Sequence, residues 1–276
     1  MSVVDRLCYA IASPDVDVMP IAWTGPAGGV CAALAELGYG GVEVQVRDPR
    51  GFDTSDFARV LADHGLDLVS VSTGPAAADG LVLTASNENN RRATVERLKR
   101  IADFAAEHGA TVAIGSIRGG SKAAGSRDLA LERLHETVNV LVEHVAGTGV
   151  TFLLEPQSRM ATDLLNTVEE VLDFAAGFPS SALALEVDTF HMMGEEGSLG
   201  GPLVAAHLAG RLAHVQVGDS HRRWPGSGLV PWPEVLGVLG ALGYQGWLSV
   251  EIEQKPSSPV AAERALRFLR SMAGRA

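Results

Sequence analysis

The sequence predicts an α/β fold, a (β/α)8 TIM barrel formed as a single domain over residues 1–276. Three observations lead there. The length supplies eight units of one strand and one helix, close to the ~250 residues usual for such a barrel. Short runs of Val, Ile, Leu and Ala recur through the chain, nearly continuous in apolar character, as strands buried on both faces require. Helical patterns fill the gaps and commonly stop at a glycine. A doubly wound open sheet competes with this reading. It would carry a glycine-rich turn after the first strand, and Ala12-Ser13-Pro14-Asp15 is not one.

The predicted strands are Leu7–Ala12, Val42–Val46, Leu66–Val71, Thr111–Ile114, Thr151–Glu155, Leu183–Asp188, Leu212–Val217 and Trp247–Ile252. Over 129–145, Leu131, Leu134, Val138, Leu141, Val142 and Val145 fall on one face of a helix. Thr167 and Glu170 form the capping-box pattern of a helix running to about Ala176. Ser258 followed by Pro259 reads as the N-cap and first residue of the last helix. His64-Gly65 and His108-Gly109 read as helix ends.

Composition bounds the function. Net charge is −11, from 33 acidic against 22 basic residues, so a general nucleic-acid partner is disfavoured. No apolar run reaches the ~18–20 residues that span a bilayer, so no membrane partner is expected. The N-terminus lacks the basic region of a signal peptide and reads as a first strand. Cys8 and Cys31 make neither a disulfide framework nor a metal spacing. A cytoplasmic setting follows as the expectation, and a homodimer or homotetramer is an open possibility.

Barrel enzymes build their sites at the C-terminal ends of the strands. The fifth run ends at Glu155, the sixth at Asp188 and the eighth at Glu251, while the seventh carries His214. These four lie 33, 26 and 37 residues apart, about one β/α unit each, which sets them on one rim. Three carboxylates and an imidazole converging in a partly apolar mouth repel one another unless a cation neutralises them. Such oxygen-rich ligation suits one divalent ion, Mn²⁺ first, with Mg²⁺, Co²⁺ or Fe²⁺ as alternatives. His191, three residues after Asp188, is placed just above the rim. Arg222, in the loop after the seventh strand, is a candidate clamp for substrate hydroxyls or a carboxylate. Glu43, in the second strand, and Arg118, beside a glycine turn after the fourth, complete the candidate substrate contacts. Arg118 would meet an anionic end of the substrate.

Leu154-Glu155-Pro156, Leu164-Leu165-Asn166-Thr167, Val187-Asp188-Thr189-Phe190-His191-Met192, the segment His214 to Arg222 with Pro225-Gly226-Ser227-Gly228, and Leu248-Ser249-Val250-Glu251 resemble the xylose isomerase-like TIM barrels. Gly38-Tyr39-Gly40-Gly41-Val42-Glu43 is similar to that family's second strand. Within the family the chain looks most like the sugar isomerase/epimerase branch, of the D-tagatose 3-epimerase type. The resemblance implies that Glu155, Asp188, His214 and Glu251 bind one divalent metal. It implies that Glu155 and Glu251 are the catalytic acid/base pair, working through a cis-enediolate, and that His191 and Arg222 contact a sugar.

The chain departs from the family pattern in three places. Ser158 stands where an Asn is common, Ala161 where a second glutamate follows the first ligand by six residues, and His221 where an Asn precedes the loop arginine. With Arg118, these changes admit a sugar acid as well as a plain ketose. An inosose dehydratase-like lyase and a non-enzymatic sugar-binding protein are the alternative readings. A three-metal apurinic endonuclease would need further His and Asp ligands and a basic groove.

Overall fold

In a computed structural model, which describes residues 3–272, eight parallel strands close into a barrel. They are β1 Leu7–Ala12, β2 Gly41–Gln45, β3 Asp67–Ser72, β4 Thr111–Ile114, β5 Phe152–Leu154, β6 Leu183–Asp188, β7 Leu212–Gln216 and β8 Leu248–Val250. Each pairs with the next, and β8 returns to β1 through Leu7–Leu248 and Cys8–Ser249. All eight expected strands are present, several shortened or shifted by one or two residues.

The helices follow their local signals. Arg127–His144 begins at Ser126, whose hydroxyl accepts from the Leu129 amide, and buries Leu134, Val138 and Leu141 against the barrel. Thr167 and Glu170 complete the capping box ahead of Val168–Ala175. The last helix, Ser258–Ser271, starts one residue earlier than its sequence indicates, with Ser257 at the N-cap. Cys8 and Cys31 are buried and unpaired. No helix among the described residues is long and apolar enough to cross a membrane.

Two details of the barrel decide the site. The register shifts between Val42 and Glu43 in β2 and between Leu185 and Glu186 in β6. Such irregularities bend a strand and re-aim its side chains, and each lies at a buried acid. After the second shift, Glu186 pairs with His214 and Asp188 pairs with Gln216. The interior of the barrel is therefore polar in tiers, with Glu186 and His214 below and Asp188 and Gln216 above.

The segment after β1 then folds back over the mouth. Trp23 bridges to Ile11, its amide donating to the Ala10 carbonyl and its carbonyl accepting from the Ala12 amide. That turn brings Met19 and Ile21 over the opening.

Candidate active site

A cavity of about 330 Å³ opens at the C-terminal mouth, lined by Gln45, Glu155, Gln157, His191, Gln216, Arg222 and Glu251, with Glu186 at its floor. Asp188 is fully buried beside it. Each carboxylate is aimed by a specific neighbour. Asp188 ends β6 and caps the helix Thr189–Glu195, its Oδ1 accepting from the Phe190 amide at 2.9 Å. The same short helix carries His191, whose Nδ1 accepts from the Ser158 amide at 3.3 Å. Its Nε2 lies 3.5 Å from Glu155 Oε1 and 3.3 Å from Arg222 Nη1.

Glu155 directly follows β5, and its Oε2 accepts from Gln157 Nε2 at 2.7 Å. Glu251 directly follows β8, and its Oε1 accepts from Gln45 Nε2 at 2.7 Å. Arg222 reaches in from the loop after β7. Its Nη2 meets Glu251 Oε2 and lies 3.3 Å from Asp188 Oδ2, and its guanidinium stacks 4.9 Å over the Phe190 ring. Arg222 has φ of 50°, a left-handed conformation uncommon for a side-chain-bearing residue. Asp219 holds that loop. Its carboxylate accepts from Trp232 Nε1 at 2.9 Å and from the Ser220, Gly226 and Val230 amides at 2.8, 2.8 and 3.2 Å.

Burial dominates the electrostatics. It pushes the Glu155 carboxyl up to about 7, with Asp188 adding repulsion, and the Asp188 carboxyl up to about 6 against the pull of Arg222. Glu251 and Glu186 are raised well above the usual carboxylate range by burial and by their acidic neighbours. Burial, then the charges of Arg222 and Arg118, lower His191 to about 3, so its ring is neutral. Burial opposes the charge on Arg222, yet Glu251, Asp188 and Glu155 outweigh it and hold that charge firmly.

The cavity's donor set fits a divalent cation. Glu155 Oε1, Asp188 Oδ2 and Gln216 Oε1 are buried oxygens without a hydrogen-bond partner, all belonging to residues at the mouth. Glu155, Asp188 and His191 can each bring one ligand atom within 4.8 Å of the others. Hard oxygen donors of this kind suit Mn²⁺ or Mg²⁺.

The structure gathers five of the eight candidate residues at the mouth: Glu155, Asp188, His191, Arg222 and Glu251. The other three are placed elsewhere. His214 lies one tier down, its Nε2 3.0 Å from Glu43 Oε2 and 3.9 Å from Glu186 Oε2. The register seats it beside Glu186, so it points into the barrel below the rim. Glu43 is fully buried in that lower tier, where Ser72, His214 and Gln216 occupy its oxygens. Although burial opposes ionisation of Glu43, the His214 and serine contacts prevail and hold its carboxyl below the usual range. Arg118 is also fully buried, behind the wall, with Nη1 on the Glu155 carbonyl. It does not line the cavity, so it offers no anchor to an anionic substrate.

Gln216 was missed, as were Gln45, Gln157 and Glu186. The signal for Gln216 was present. Asp188 ends its strand and Glu155 and Glu251 directly follow theirs, and Gln216, not His214, ends β7.

Comparison with known proteins agrees with this architecture. The family profile described as xylose isomerase-like TIM barrel matches residues 31–272. The chain is 32% identical to the L-ribulose 3-epimerase of Mesorhizobium japonicum over 232 residues, covering 80% of this chain and 73% of the relative. It is 30% identical to the ketose 3-epimerase of Arthrobacter globiformis over 235 residues, covering 83% and 77%. Among solved structures, D-allulose 3-epimerase from Methylomonas sp., in complex with D-allulose, superposes with a TM-score of 0.79 at 22% identity, covering 98% of this chain and 99% of the other. The 3-keto-D-glucoside 4-epimerase of E. coli gives 0.77 at 20% identity, covering 96% and 100%. The chain belongs to the xylose isomerase-like TIM barrel family, as an enzyme of its sugar epimerase/isomerase branch.

Proposed function

We propose that this protein is a divalent-metal-dependent epimerase of a neutral ketose, with Glu155 and Glu251 exchanging the proton next to the carbonyl. The observation that carries the reading is the set of partnerless buried oxygens on Glu155, Asp188 and Gln216 at a mouth that also holds Glu251. Glu155, Asp188, Glu251 and the amide oxygen of Gln216 would hold one cation, Mn²⁺ by preference, and His214 would take no part. When bound, the cation supplies Lewis-acid stabilisation of the charge that develops on the substrate carbonyl oxygen.

The residues supply the rest. Gln157 and Gln45 hold the two glutamates by one oxygen each; the second oxygen of Glu155 has no hydrogen-bond partner, and that of Glu251 is held by Arg222 until the guanidinium turns to the sugar. One glutamate removes the proton beside the carbonyl, leaving a cis-enediolate. The other returns a proton to the opposite face and inverts the centre. His191 is neutral, with Nδ1 on the Ser158 amide; once Arg222 turns to the sugar, its Nε2 donates to a substrate oxygen or to Glu155. Arg222 neutralises Glu251 and Asp188 until substrate and cation arrive, then donates to sugar hydroxyls.

A neutral sugar fits better than a sugar acid. Arg222 is the only lysine or arginine among the described residues lining the cavity, and two carboxylates already engage it. Two of the relatives are named as 3-epimerases of a ketose and of L-ribulose.

The test is incubation of the Mn²⁺ form with D-psicose, D-tagatose, L-ribulose and an inosose in D₂O. Deuterium uptake at one carbon with unchanged carbon skeleton is the expected result. Loss of water from the substrate would select a dehydratase instead. Absence of exchange with every ketose, in protein carrying one Mn²⁺, would overturn the proposal.

A further inference from the structure

Gln45, Gln157 and Gln216 share an arrangement that the metal reading leaves largely unused. Each is buried, each gives its Nε2 to a carboxylate at 2.7 Å, and each leaves its Oε1 without a partner while lining the same cavity. An ionised carboxylate only accepts hydrogen bonds, so the amide nitrogen must face it. The amide oxygen is then turned the other way by the planarity of the group. A buried acceptor left empty costs free energy, and Gln45 and Gln157 are not placed among the cation ligands proposed above.

Glycines leave room for both amides. Gly115 flanks the Gln157–Glu155 pair, and a Cβ there would come within 2.8 Å of Glu155 Oε2 and 3.0 Å of Gln157 Nε2. Gly74 flanks Gln45, and a Cβ there would lie 3.0 Å from its Oε1. The backbones are fixed as well. The Gln45 carbonyl accepts from the Ser13 hydroxyl at 3.0 Å, and the Gln157 carbonyl accepts from Asn166 Nδ2 at 2.7 Å.

We infer that Gln45 and Gln157 are the specificity-determining acceptors for two substrate hydroxyls, one beside each proton-transferring glutamate. The inference rests on the epimerase reading above and deepens it by naming what the site selects. Acceptors at both glutamates demand hydroxyl donors on the substrate near both. They reject a deoxy sugar at either place, and a carboxylate there would meet an oxygen with no proton to share. The site thus selects, among ketoses, those with a hydroxyl at each of two defined positions, one beside each glutamate. Because one amide holds both the glutamate and the hydroxyl, correct binding also orients the base.

The experiment measures kcat/KM for deuterium exchange in the Mn²⁺ enzyme with D-psicose and with its 1-, 4-, 5- and 6-deoxy analogues. Wild-type protein, Gln45→Met and Gln157→Met are compared. A site built to pair a hydroxyl discriminates strongly against its absence, so the wild type should lose about tenfold or more on two of the analogues. Gln45→Met should erase the penalty for one of these and Gln157→Met the penalty for the other. Equal losses by each variant on every analogue would overturn the inference, since a residue that only positions a glutamate cannot tell one deoxy sugar from another. If a variant does not fold, the wild-type crystal structure with Mn²⁺ and D-psicose decides. Both amide oxygens should lie within about 3.2 Å of sugar hydroxyls, and amide oxygens bound only to water or to the cation would overturn the inference. No exchange by the wild type on any ketose would refute the epimerase reading itself, a distinguishable failure.

Discussion

Asp188 stands in register with Gln216 across β6 and β7, and His214 is paired one step below with Glu186. That relationship separates two jobs that adjacent inward residues of one strand could share. Gln216 faces the cavity, and His214 braces the barrel by its 3.0 Å contact with Glu43. Substitutions should divide accordingly. Gln216→Leu is expected to weaken Mn²⁺ binding by at least about 10- to 100-fold, the range that even supporting residues reach. His214→Leu leaves Glu43 as an uncompensated buried charge and should cost about 3–5 kcal/mol of stability, with one Mn²⁺ per chain retained. Calorimetric titration and denaturant unfolding read the two effects. Loss of Mn²⁺ in the folded His214→Leu protein, with Gln216→Leu binding normally, would return the ligand role to His214.

Replacing either proton-transferring group should stop exchange. Glu155→Gln and Glu251→Gln keep the side-chain shape, and each is expected to lower the exchange rate by about 10²–10⁴-fold. Unchanged circular dichroism would show that the fold persists. A double Gln variant that still exchanged deuterium at the wild-type rate would remove both residues from the chemistry.

Removal of the cation should have a pH signature. Without it, burial holds Asp188 at about 6 and Glu155 at about 7, whereas such groups titrate near ~4 in an unfolded chain. The folded protein therefore binds more protons than the unfolded one between those values. The stability these groups contribute is full below about pH 4 and is lost as pH rises through about 6 and then about 7. A cation competes with the same protons and binds better as they leave. The gap in Tm between Mn²⁺-loaded and EDTA-treated protein should thus widen from about pH 5 to about pH 8. A constant gap would show that these carboxylates do not hold the ion.

Asp219 organises the loop that delivers Arg222 without lining the cavity. Asp219→Ala strands the Trp232 indole and three backbone amides, and should cost about 2–3 kcal/mol in stability. It should also raise KM, because Arg222 loses the turn that fixes its left-handed backbone. Steady-state kinetics beside thermal unfolding would check both, and an unchanged KM would mean that Arg222 is held by its own ion pairs.

The barrel was legible in the sequence because its strands are apolar runs and its helices carry local caps. Thr167 and Glu170 announce their helix by chemistry that needs no tertiary context. Glu155, Asp188 and Glu251 were legible because a strand end is a position that can be counted. The ligand expectation for His214 comes from its spacing of about one β/α unit and from the resemblance, and the register shift at Leu185/Glu186 that seats it beside Glu186 leaves no local mark. Arg118 beside its glycines looks like an anion site, yet only the packed structure shows its guanidinium turned to the Glu155 carbonyl. The glutamines were illegible for a related reason. A Gln becomes significant only when one end of its amide is already committed, and the commitments to Glu155 and Glu251 come from the fold.

Asp188 divides its two oxygens between the first turn of a helix and the Arg222 guanidinium. Strand end, helix start and site corner are therefore one joint, set by main-chain hydrogen bonding. The apolar residues on the outer helices can drift in evolution without moving that corner, provided the strand pairing and the Phe190 amide remain. The barrel itself persists in solved structures that share only about a fifth of their residues with this chain.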